Sequence, residues 1–418
     1  MQLKTILNRV ERFKSFVYGK VKMTEMAGEP VLEVQIEPRA NGRPVCSGCH
    51  RPGPGYDRLS PRRFQFPPLW QIPVYFVYAM RRVDCARCGK VMVEEVPWGD
   101  GKSRQARAYQ WFLAQWARRM SWQEVAEAFH TSWDNVYSAV KHAVFWGVVH
   151  RTIQGVKSIG VDEIQWARGH QYLTLVYQID RGCKRLLWLG RDRTAATLES
   201  FFDLFGKRFA AGLKFVCSDM CQAYLEVIGR RAAKAVHVLD RFHIMQLMNK
   251  AIDEVRRAEA KRLERDGYEP ILKHSRWCLL KRLENMTQRQ TVKLAELMRY
   301  NLQSMRARLS REDFQRFWEY ESTAWARKFL EEWCARTMRS KIEPMKKVAR
   351  TLRDHQELLL NWFRAEGKIS AGVVEGFNNK AKLTMRKAYG FRNDKYLELA
   401  LLHNLGHLPE PKFTHRFA

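Results

Sequence analysis

The pattern of hydrophobic and polar positions changes along the chain from strand spacing to helical spacing and back. In the first hundred residues, short β-branched and aromatic runs predict strands at 30–36, 63–66 and 72–82. Residues 103–149 have helical spacing and predict three helices, of which the second begins at the capping box Ser121-Trp-Gln-Glu124. A β module followed by a compact helical module is therefore predicted here.

The next stretch alternates between strands and helices. Apolar runs predict five strands, at 159–164, 172–179, 186–189, 215–217 and 236–239. Short polar links join the first three as an antiparallel meander. Helices are predicted between the later strands and after them, at 197–209, at 223–233 and from 242. The order β-β-β-α-β-α-β-α predicts a mixed sheet covered on both faces, with its first and fourth strands side by side.

The rest of the chain is predicted to be helical. Residues 251–365 are rich in arginine and tryptophan, and tryptophans at helical spacing are more typical of a core than of a base-stacking surface. We interpret this region as a helical insertion. The last predicted helix, 371–383, has Ser370 as its N-cap and Gly390 as its stop. Its packing side is predicted to consist of Val374, Phe377, Ala381 and Leu383.

The composition indicates a polyanionic partner. The 418 residues carry a formal net charge of +29, with a pI near 10.0, and 46% of them are hydrophobic, which is enough for sizeable cores. A membrane surface is the rival polyanion, but the sequence has no apolar run of about 18 residues, no lipidation signal and no signal-peptide pattern. Nine cysteines, an odd number, favour reduced thiols. We therefore expect a cytoplasmic protein that binds nucleic acid and no membrane.

Two cysteine pairs have the spacing of zinc knuckles. They are Cys46-Ser-Gly-Cys49 and Cys85-Ala-Arg-Cys88, and each lies beside a glycine. Four thiolates complete a tetrahedral Zn²⁺ site of the structural kind, and the strands predicted between the pairs suit a ribbon that closes the two knuckles together. The alternatives are two unrelated reduced pairs or a redox-active pair.

The three helices predicted at 103–149 are typical of a helix-turn-helix. The capped second helix is followed by a tight turn and a third helix that begins at Trp133. An ordinary helical hairpin inside a core gives the same pattern. If the motif binds DNA, the residues predicted to face the groove are Asp134, Asn135, Ser138 and Lys141.

Two aspartates stand where metal-dependent chemistry is expected. Asp162 ends the first predicted strand of the mixed sheet and Asp219 ends the fourth, so the strand order brings both within reach of one cation such as Mg²⁺ or Mn²⁺. Taken alone, Asp162 is better explained as a strand-end aspartate that caps a turn or pairs with an arginine. Glu163 is predicted to point to the opposite sheet face and not to share the ion.

The last predicted helix adds a third acid. At a spacing of three and four, one polar face carries Glu375, Asn378 or Asn379, Lys382 and Arg386. A carboxylate with amide and cationic neighbours suits a site that handles metal and phosphate together.

Asp240 and His243 lie close to the predicted site as well. Asp240 ends the last strand and competes as the third acid, but a helix-borne glutamate followed by amides and lysines fits better. His243 is expected to contact DNA rather than metal, because Mg²⁺ prefers oxygen ligands.

The order of elements resembles that of the ribonuclease-H-like fold, and the three acids resemble the DDE signature of transposases and integrases. Nearly the whole chain resembles the ISL-three family of insertion-sequence transposases. Cys221 departs from the family pattern, in which an aromatic residue is usual. The segments that carry the resemblance are Ile159-Gly-Val-Asp-Glu163, Ser218-Asp-Met220, Val238-Leu-Asp-Arg-Phe-His243, Val374-Glu-Gly-Phe-Asn-Asn379 and Ala388-Tyr-Gly-Phe-Arg392.

This resemblance implies a multidomain α+β protein. The implied parts are a zinc ribbon at 1–100, a helix-turn-helix DNA-binding domain at 101–152, a ribonuclease-H-like mixed α/β catalytic domain at 153–250 and 368–418, and an all-helical insertion at 251–367. Asp162, Asp219 and Glu375 are by resemblance the catalytic, metal-binding acids. Further DNA-binding candidates are His243, Asn379, Lys382 and Arg386.

The resemblance implies a transposase that binds the terminal inverted repeats of an insertion sequence, cleaves the DNA and joins the ends to target DNA. It also implies double-stranded DNA as partner, a homodimer or larger assembly when ends are paired, and a place in the bacterial cytoplasm beside the nucleoid. Two alternatives remain, a non-catalytic DNA-binding regulator derived from a transposase and a structure-selective nuclease of the same fold.

Overall fold

The computed structural model describes residues 3–99, 103–365, 372–388, 390–391 and 393–411. The chain divides into two compact units. The first comprises Met1–Thr152 with Leu383–Ala418, and the second comprises Ile153–Lys382.

The first part of the chain is β-rich and then helical. Its elements are α1 (Leu3–Val10), β1 (Phe16–Met26), β2 (Glu29–Pro38), β3 (Gly55–Arg58), β4 (Arg62–Leu69), β5 (Ile72–Tyr78), β6 (Arg81–Cys85), β7 (Lys90–Val93), α2 (Arg107–Ala117), α3 (Trp122–Ala128) and α4 (Trp133–His150).

The rest of the chain contains one further sheet and many helices. Its elements are β8 (Ser158–Ala167), β9 (Gln171–Asp180), β10 (Cys183–Arg191), α5 (Ala195–Gly212), β11 (Phe215–Ser218), α6 (Gln222–Arg231), β12 (Val236–Leu239), α7 (Arg241–Arg265), α8 (Arg276–Leu280), α9 (Gln288–Leu297), α10 (Gln303–Gln315), α11 (Thr323–Arg339), α12 (Glu343–Asp354), α13 (Gln356–Arg364), α14 (Gly372–Lys387) and α15 (Asp394–Leu405).

Two sheets lie in the first unit. One has the strand order β1-β2-β5-β4, and a smaller one has the order β3-β6-β7. The larger sheet surrounds Trp98, which is fully buried and whose ring centroid lies 4.8–6.1 Å from those of Phe13, Phe16, Phe64 and Tyr78. These aromatic contacts form the core of this part of the unit.

The strands predicted between the two cysteine pairs exist, but their predicted role in closing the knuckles is wrong. β4 and β5 belong to the larger sheet, in which β5 runs parallel to β2. The reason is apolar burial, because Phe64 and Phe76 are fully buried in the same core as Trp98. The cysteines lie instead next to the small sheet, with Cys85 at the end of β6.

The helical part of the first unit follows the predicted pattern. Ser121 and Glu124 form the predicted capping box, with the Glu124 backbone N–H donating to Ser121 Oγ at 3.2 Å and the Ser121 N–H donating to Glu124 Oε2 at 2.7 Å. α2, α3 and α4 share a core with α15. α15 was not predicted, so 371–383 does not hold the last helix of the chain.

The sheet of the second unit contains the predicted antiparallel meander and the predicted contact between its first and fourth strands. Its strand order is β10-β9-β8-β11-β12, with an antiparallel meander of β8, β9 and β10 and parallel pairs on both sides of β11. One face buries Ile159 and Val161 against Phe201 and Phe202 of α5. The adjoining first and fourth predicted strands, β8 and β11, are confirmed.

Helices α7 to α13 share one core, which extends to the end of β12 at Leu239. The predicted core role of the tryptophans is confirmed for Trp318 and Trp333, which are buried. It is wrong for Trp277 and Trp325, which are 52% and 60% exposed.

α14 packs through three of its four predicted residues. Val374, Phe377 and Ala381 are buried, whereas Leu383 is 60% exposed. The prediction for Leu383 is wrong because two further residues rotate the side chain by about 200° around the helix from Ala381. Gly390 (φ 98°) follows the end of α14 as predicted, and Ser370, the predicted N-cap, lies outside the described residues.

Candidate functional site

Three aspartates stand in one row at an edge of the second unit's sheet. β8, β11 and β12 align Gly160 with Cys217 and Cys217 with Val238. Two positions further along each strand are Asp162, Asp219 and Asp240. The Asp240 backbone N–H donates to the carbonyl oxygen of Ser218 at 2.8 Å, which continues the register past the end of β11. Parallel strands therefore carry three carboxyl groups to the same edge.

Asp162 was predicted to end its strand, and the structure corrects this. Asp162 is the fifth residue of β8, which runs on to Ala167 while paired with β9. The pairing of β8 with β11 stops at Gly160 instead. Asp162 is 7% exposed and lies where β8 still pairs with β9 but no longer pairs with β11. A buried carboxylate at such a place needs a partner.

Asn378 on α14 is that partner, and sequence reasoning left it undistinguished from Asn379. Its Nδ2 donates to Asp162 Oδ2 at 2.6 Å, and its Oδ1 accepts from the hydroxyl of Tyr177 at 2.8 Å. The ring of Tyr177 stacks on Phe377 at 4.9 Å between centroids. The amide thus holds Asp162 in one orientation.

Gly160 permits this contact between β8 and α14. A Cβ atom at Gly160 would lie 2.4 Å from Val374 Cγ2, so a larger residue would require the Val374 side chain or α14 to shift. The signal was present in the sequence as a glycine inside a buried strand run, which often marks close backbone approach.

His243 lies between two of the acids at the start of α7. Its Nε2 is 3.8 Å from Asp162 Oδ2 and 3.7 Å from Asp240 Oδ2. Burial alone would lower the pKa of His243, but the nearby carboxylate of Asp162 and the charges of Asp240 and Asp219 raise it to about 9. Burial raises the pKa of Asp219, and it raises the pKa of Asp240 to about 6. Clustered carboxyl groups thus disfavour their own ionisation here unless a cation neutralises them.

Asp240 also has a structural task. Its Oδ1 accepts from the backbone N–H of Phe242 at 2.6 Å and so caps α7. Glu375, in the first turn of α14, is half-buried, and its charge makes a small contribution to the raised pKa of Asp240.

Glu163 stays close to the site although it follows Asp162 in the strand. Its Oε1 is 3.7 Å from Arg193, and it lines the same groove as Asp219. Burial first, and then the charges of Asp219 and Asp162, raise the pKa of Glu163 to about 7. Alternation along β8 therefore turns Glu163 away from Asp162 without removing it from the vicinity of Asp219.

The acids have the chemistry of ligands for a hard divalent cation. Carboxylates from several elements, with room for water and phosphate oxygens, suit Mg²⁺ or Mn²⁺. Among the described residues, only the four clustered cysteines bring three or more potential ligand atoms within 4.8 Å of one another. The carboxyl groups of the acids therefore do not form a closed set of three ligands in this structure.

The predicted DNA-binding residues of α14 are exposed. Asn379, Lys382 and Arg386 lie on the outer face of the helix, on the side away from Val374 and Ala381. Their exposure leaves them accessible to a polyanion.

The four cysteines form a compact cluster. Sγ of Cys46 is 3.8 Å from that of Cys88, and Sγ of Cys49 is 3.5 Å from that of Cys85. A tetrahedral zinc site with Zn–S bonds of about 2.3 Å has sulfur atoms about 3.8 Å apart, whereas a disulfide needs about 2.05 Å. The residue arrangement therefore fits zinc.

The two knuckles have the same backbone geometry. His50 and Gly89, which directly follow the second cysteine of each pair, have φ values of 56° and 65°. Each donates its backbone N–H to the carbonyl of the first cysteine, His50 to Cys46 and Gly89 to Cys85, at 2.9 Å. The Cys49 and Gly48 N–H groups also lower the pKa of Cys46 to about 6. Such turns hold thiolates ready for a cation.

The predicted groove-facing residues of α4 differ in their accessibility. Asp134, Ser138 and Lys141 are exposed, at a spacing of four and three along one face. Asn135 is half-buried, and its Nδ2 donates to Thr131 Oγ1 at 2.9 Å. The exposed three form a continuous stripe that another molecule can contact.

Among the helices described, each is too short or too polar to cross a membrane.

Comparison with known proteins identifies the family. A family model described as transposase matches residues 159–401, which is more than half of the 418 residues. The chain is 28% identical over 388 residues to the transposase for insertion sequence element IS1001 of Bordetella parapertussis, with 92% of this chain and 94% of that protein covered. It is 28% identical over 402 residues to the transposase for insertion sequence element IS1557 of Mycobacterium tuberculosis, with 90% and 89% covered. The chain belongs to the ISL-three family of DDE transposases.

Proposed function

We propose that the protein binds the terminal inverted repeats of an insertion sequence, cleaves the DNA there and joins the ends to target DNA. The observation that carries this proposal is the placement of Asp162 on β8 and of Asp219 directly after the adjoining parallel strand β11, with Glu375 on α14, which packs against β8. The sheet order and the alternating helices support a ribonuclease-H-like fold for this catalytic part. The relatives are named as transposases of insertion sequences, which supports the same substrate here.

In this proposal Asp162, Asp219 and Glu375 hold Mg²⁺ or Mn²⁺. Bound in this way, divalent ions activate a hydroxyl nucleophile and stabilise the leaving oxygen of a phosphodiester. The first step breaks one P–O bond with water and frees a 3′-hydroxyl. The second forms a new P–O bond from that 3′-oxygen to target DNA and releases a target 3′-oxygen.

We assign Glu375 rather than Asp240 as the third acid. Asp240 already caps α7 through Phe242, and this hydrogen bond occupies one of its oxygens. Glu375 lies one turn before Asn378, the residue that orients Asp162, so one helix delivers both groups. In this assignment the charge of His243 offsets those of the aspartates, and its ring contacts a phosphate of the DNA.

The first unit is assigned to DNA binding. The Cys46, Cys49, Cys85 and Cys88 cluster is proposed to bind a structural Zn²⁺, and α3 and α4 are proposed to form a helix-turn-helix. The net charge of +29 supports a polyanionic partner. We propose action on chromosomal DNA in the bacterial cytoplasm, with two or more chains pairing the element ends.

Single substitutions test the proposal. We expect Asp162→Ala, Asp219→Ala and Glu375→Ala to abolish Mg²⁺-dependent cleavage and strand transfer on DNA that carries the element ends, and to leave binding of those ends intact. The Asp240→Asn variant keeps an oxygen for capping α7 and is expected to retain cleavage. Normal cleavage by the Asp162→Ala protein would contradict the assignment.

The same assay separates the alternatives. A non-catalytic regulator binds the ends without nicking them in Mg²⁺, and a nuclease produces cleaved but no joined products.

A further inference from the structure

A groove with a volume of about 880 Å³ opens beside Asp219 in the second unit. α7 forms one wall and presents Gln246, Lys250 and Arg257 on one face, at a spacing of four and seven residues. Arg276 and Leu280 of α8 also line the groove. The groove therefore leads from the acids along a basic wall.

Buried and partly buried groups hold this basic wall in place. Asp253 lies 2.9 Å from Arg256, 3.6 Å from Arg257 and 3.5 Å from Arg276, so a single carboxylate gathers guanidinium groups from two helices. The Asp253 carboxylate lies among groups that could bind phosphate, and its ion pairs hold the arginine side chains in position before a ligand binds.

Arg311 ties the two walls together from behind. It is 2% exposed and donates through Nη1 to Asn249 Oδ1 at 2.6 Å and to the Leu280 carbonyl at 2.7 Å. Asn249 and Leu280 both line the groove, one on α7 and the other on α8. The groove is thus a fixed feature of the fold.

An exposed aromatic ring adjoins the basic wall. Trp277 is 52% exposed, and the guanidinium carbon of Arg276 lies 5.1 Å from the centre of its ring. A phosphate-binding wall next to an exposed indole is the combination that binds single-stranded nucleic acid, because an unpaired base stacks on the ring while cations follow the backbone. Base pairs in a duplex cannot present a base face in this way.

We propose that this groove binds an unpaired stretch of a DNA strand next to the phosphate that the acids cleave. Lys250, Arg257 and Arg276 contact its phosphates, and one base stacks on Trp277. The inference rests on the proposed function for the position of the scissile phosphate. It means that the duplex is opened beside the cleavage site before the strand reaches the acids.

Binding of a single strand tests this in the full chain without divalent metal. The probe is a fluorescein-labelled thymidine 12-mer, compared with a random-sequence duplex, both measured by fluorescence anisotropy. Trp277→Ala is expected to weaken binding of the single strand by roughly 5- to 150-fold, the range for loss of one stacked base, with duplex binding within twofold. Trp277→Phe retains a ring and is expected to recover most of the affinity.

Matched variants come from the same unit. Trp325 is 60% exposed and has the ammonium of Lys328 at 5.3 Å from its ring centre, but Lys328, unlike the Arg276 beside Trp277, does not line the groove. Trp325→Ala is expected to bind as the parent protein does. Lys250→Gln and Arg257→Gln should each reduce the slope of log affinity against log salt by about 0.7, and Lys261→Gln, also on α7, should leave it unchanged.

Cross-linking gives the location directly. An oligomer with 5-iodouracil is expected to cross-link to Trp277 under ultraviolet light, as mapped by mass spectrometry. Equal effects of the Trp277→Ala and Trp325→Ala changes, equal losses for single strand and duplex, or cross-links only elsewhere would each overturn the inference. These measurements need no cleavage, so their outcome is independent of the Asp162→Ala test. The groove can be supported while the assignment of the acids is contradicted, and the acids can be supported while the groove is contradicted.

Discussion

At the scale of single residues, the site depends on the side-chain amide of Asn378, which takes no direct part in the proposed reaction. Asn378 connects the hydroxyl of Tyr177 to the carboxylate of Asp162 through two hydrogen bonds of 2.8 and 2.6 Å. Hydrogen bonds of this kind fix the direction of a metal ligand, and their loss typically lowers metal affinity 10- to 100-fold.

We therefore expect Asn378→Ala to raise the Mg²⁺ concentration for half-maximal cleavage by about 10-fold or more. Tyr177→Phe removes only the outer hydrogen bond and should cause a smaller shift. The measurement is a Mg²⁺ titration of plasmid nicking at saturating DNA. An unchanged Mg²⁺ requirement in the Asn378→Ala protein would show that Asp162 needs no such support.

Glu11, far along the chain from the acids, gives a prediction about pH. Its Oε2 is buried without a hydrogen-bond partner among the described residues, and burial, partly offset by the charge of Arg107, raises its pKa to about 7. Because the folded-state pKa lies above the ordinary 4.5, the stabilising contribution is complete below about pH 4.5 and is lost as the pH rises through 7.

Glu11→Gln keeps a neutral side chain at every pH. It is expected to raise the free energy of unfolding at pH 8.5 by up to about 3 kcal/mol and to have little effect near pH 5. Urea unfolding at the two pH values measures this. Glu25→Gln, exposed on β1, is the control, and a gain of the same size at both pH values would exclude the titration of Glu11 as its cause.

At the scale of elements, the hairpin of β4 and β5 contains a strained turn. Leu69 pairs with Ile72, so Trp70 and Gln71 form a two-residue loop, and both have positive φ, 50° and 68°. Type I′ turns of this kind favour Asn-Gly, and a non-glycine residue in this region costs about 1–2 kcal/mol. Trp70 is also 82% exposed, so its ring gains little from burial.

The double change Trp70→Asn with Gln71→Gly is expected to stabilise the first unit by about 1–2 kcal/mol. The hairpin of β1 and β2 offers a comparison, because its turn at Ala27 and Gly28 already has glycine second. Ala27→Asn should therefore raise the stability of the first unit by less than the double change does. Thermal unfolding of both variants measures this. Destabilisation by the Trp70 and Gln71 changes would mean that the indole makes contacts that outweigh the strain.

The elements themselves were largely predictable from the sequence because periodicity is a local signal. β12 coincides with the predicted 236–239, and β11 and the helices between the strands lie within a few residues of their predicted bounds. Pairing partners are not local, which is why β4 and β5 were predicted to close the two cysteine knuckles instead of joining β1 and β2 in the larger sheet. The prediction that Asp162 ends its strand was wrong for a related reason. β8 stops pairing with β11 at Gly160 but continues to pair with β9.

The candidate site was predictable in its acids and not in its supports. The carboxylates stand out because a charge in an apolar run is unusual, whereas Asn378 and Asn379 are identical in sequence terms. Only the packing of Val374 over Gly160 decides which amide faces Asp162. The close approach of α14 is a tertiary property.

At the scale of the whole molecule, the charge of +29 combines two kinds of arginine. Some are structural, as Arg308 shows, since it is 3% exposed and donates to the carbonyl oxygens of Cys278, Leu279 and Lys281 at the end of α8. Others, such as Arg257, stand in the groove beside Asp219. Net charge alone therefore overstates the number of phosphate contacts.

The proposed metal ligands of the two units differ in chemical character, with soft thiolates in the first unit and hard carboxylates in the second. Soft sulfur ligands retain Zn²⁺, whereas carboxylates exchange Mg²⁺ freely. Purified protein is therefore expected to carry about one zinc per chain after dialysis without metal, measured by a colorimetric zinc assay, and to need added Mg²⁺ for cleavage and strand transfer.

Cys88→Ser tests this division, with Cys183→Ser on β10 as the matched control. The Cys88→Ser protein is expected to lose the zinc and to unfold in its first unit at lower temperature, because structural zinc sites contribute folding free energy directly. Cys183→Ser should retain both. The small sheet has few buried apolar residues besides Val83, so without the metal little else stabilises it. An unchanged zinc content in the Cys88→Ser protein, or an unchanged melting temperature after zinc removal, would show that the cysteines are reduced pairs without a structural ion.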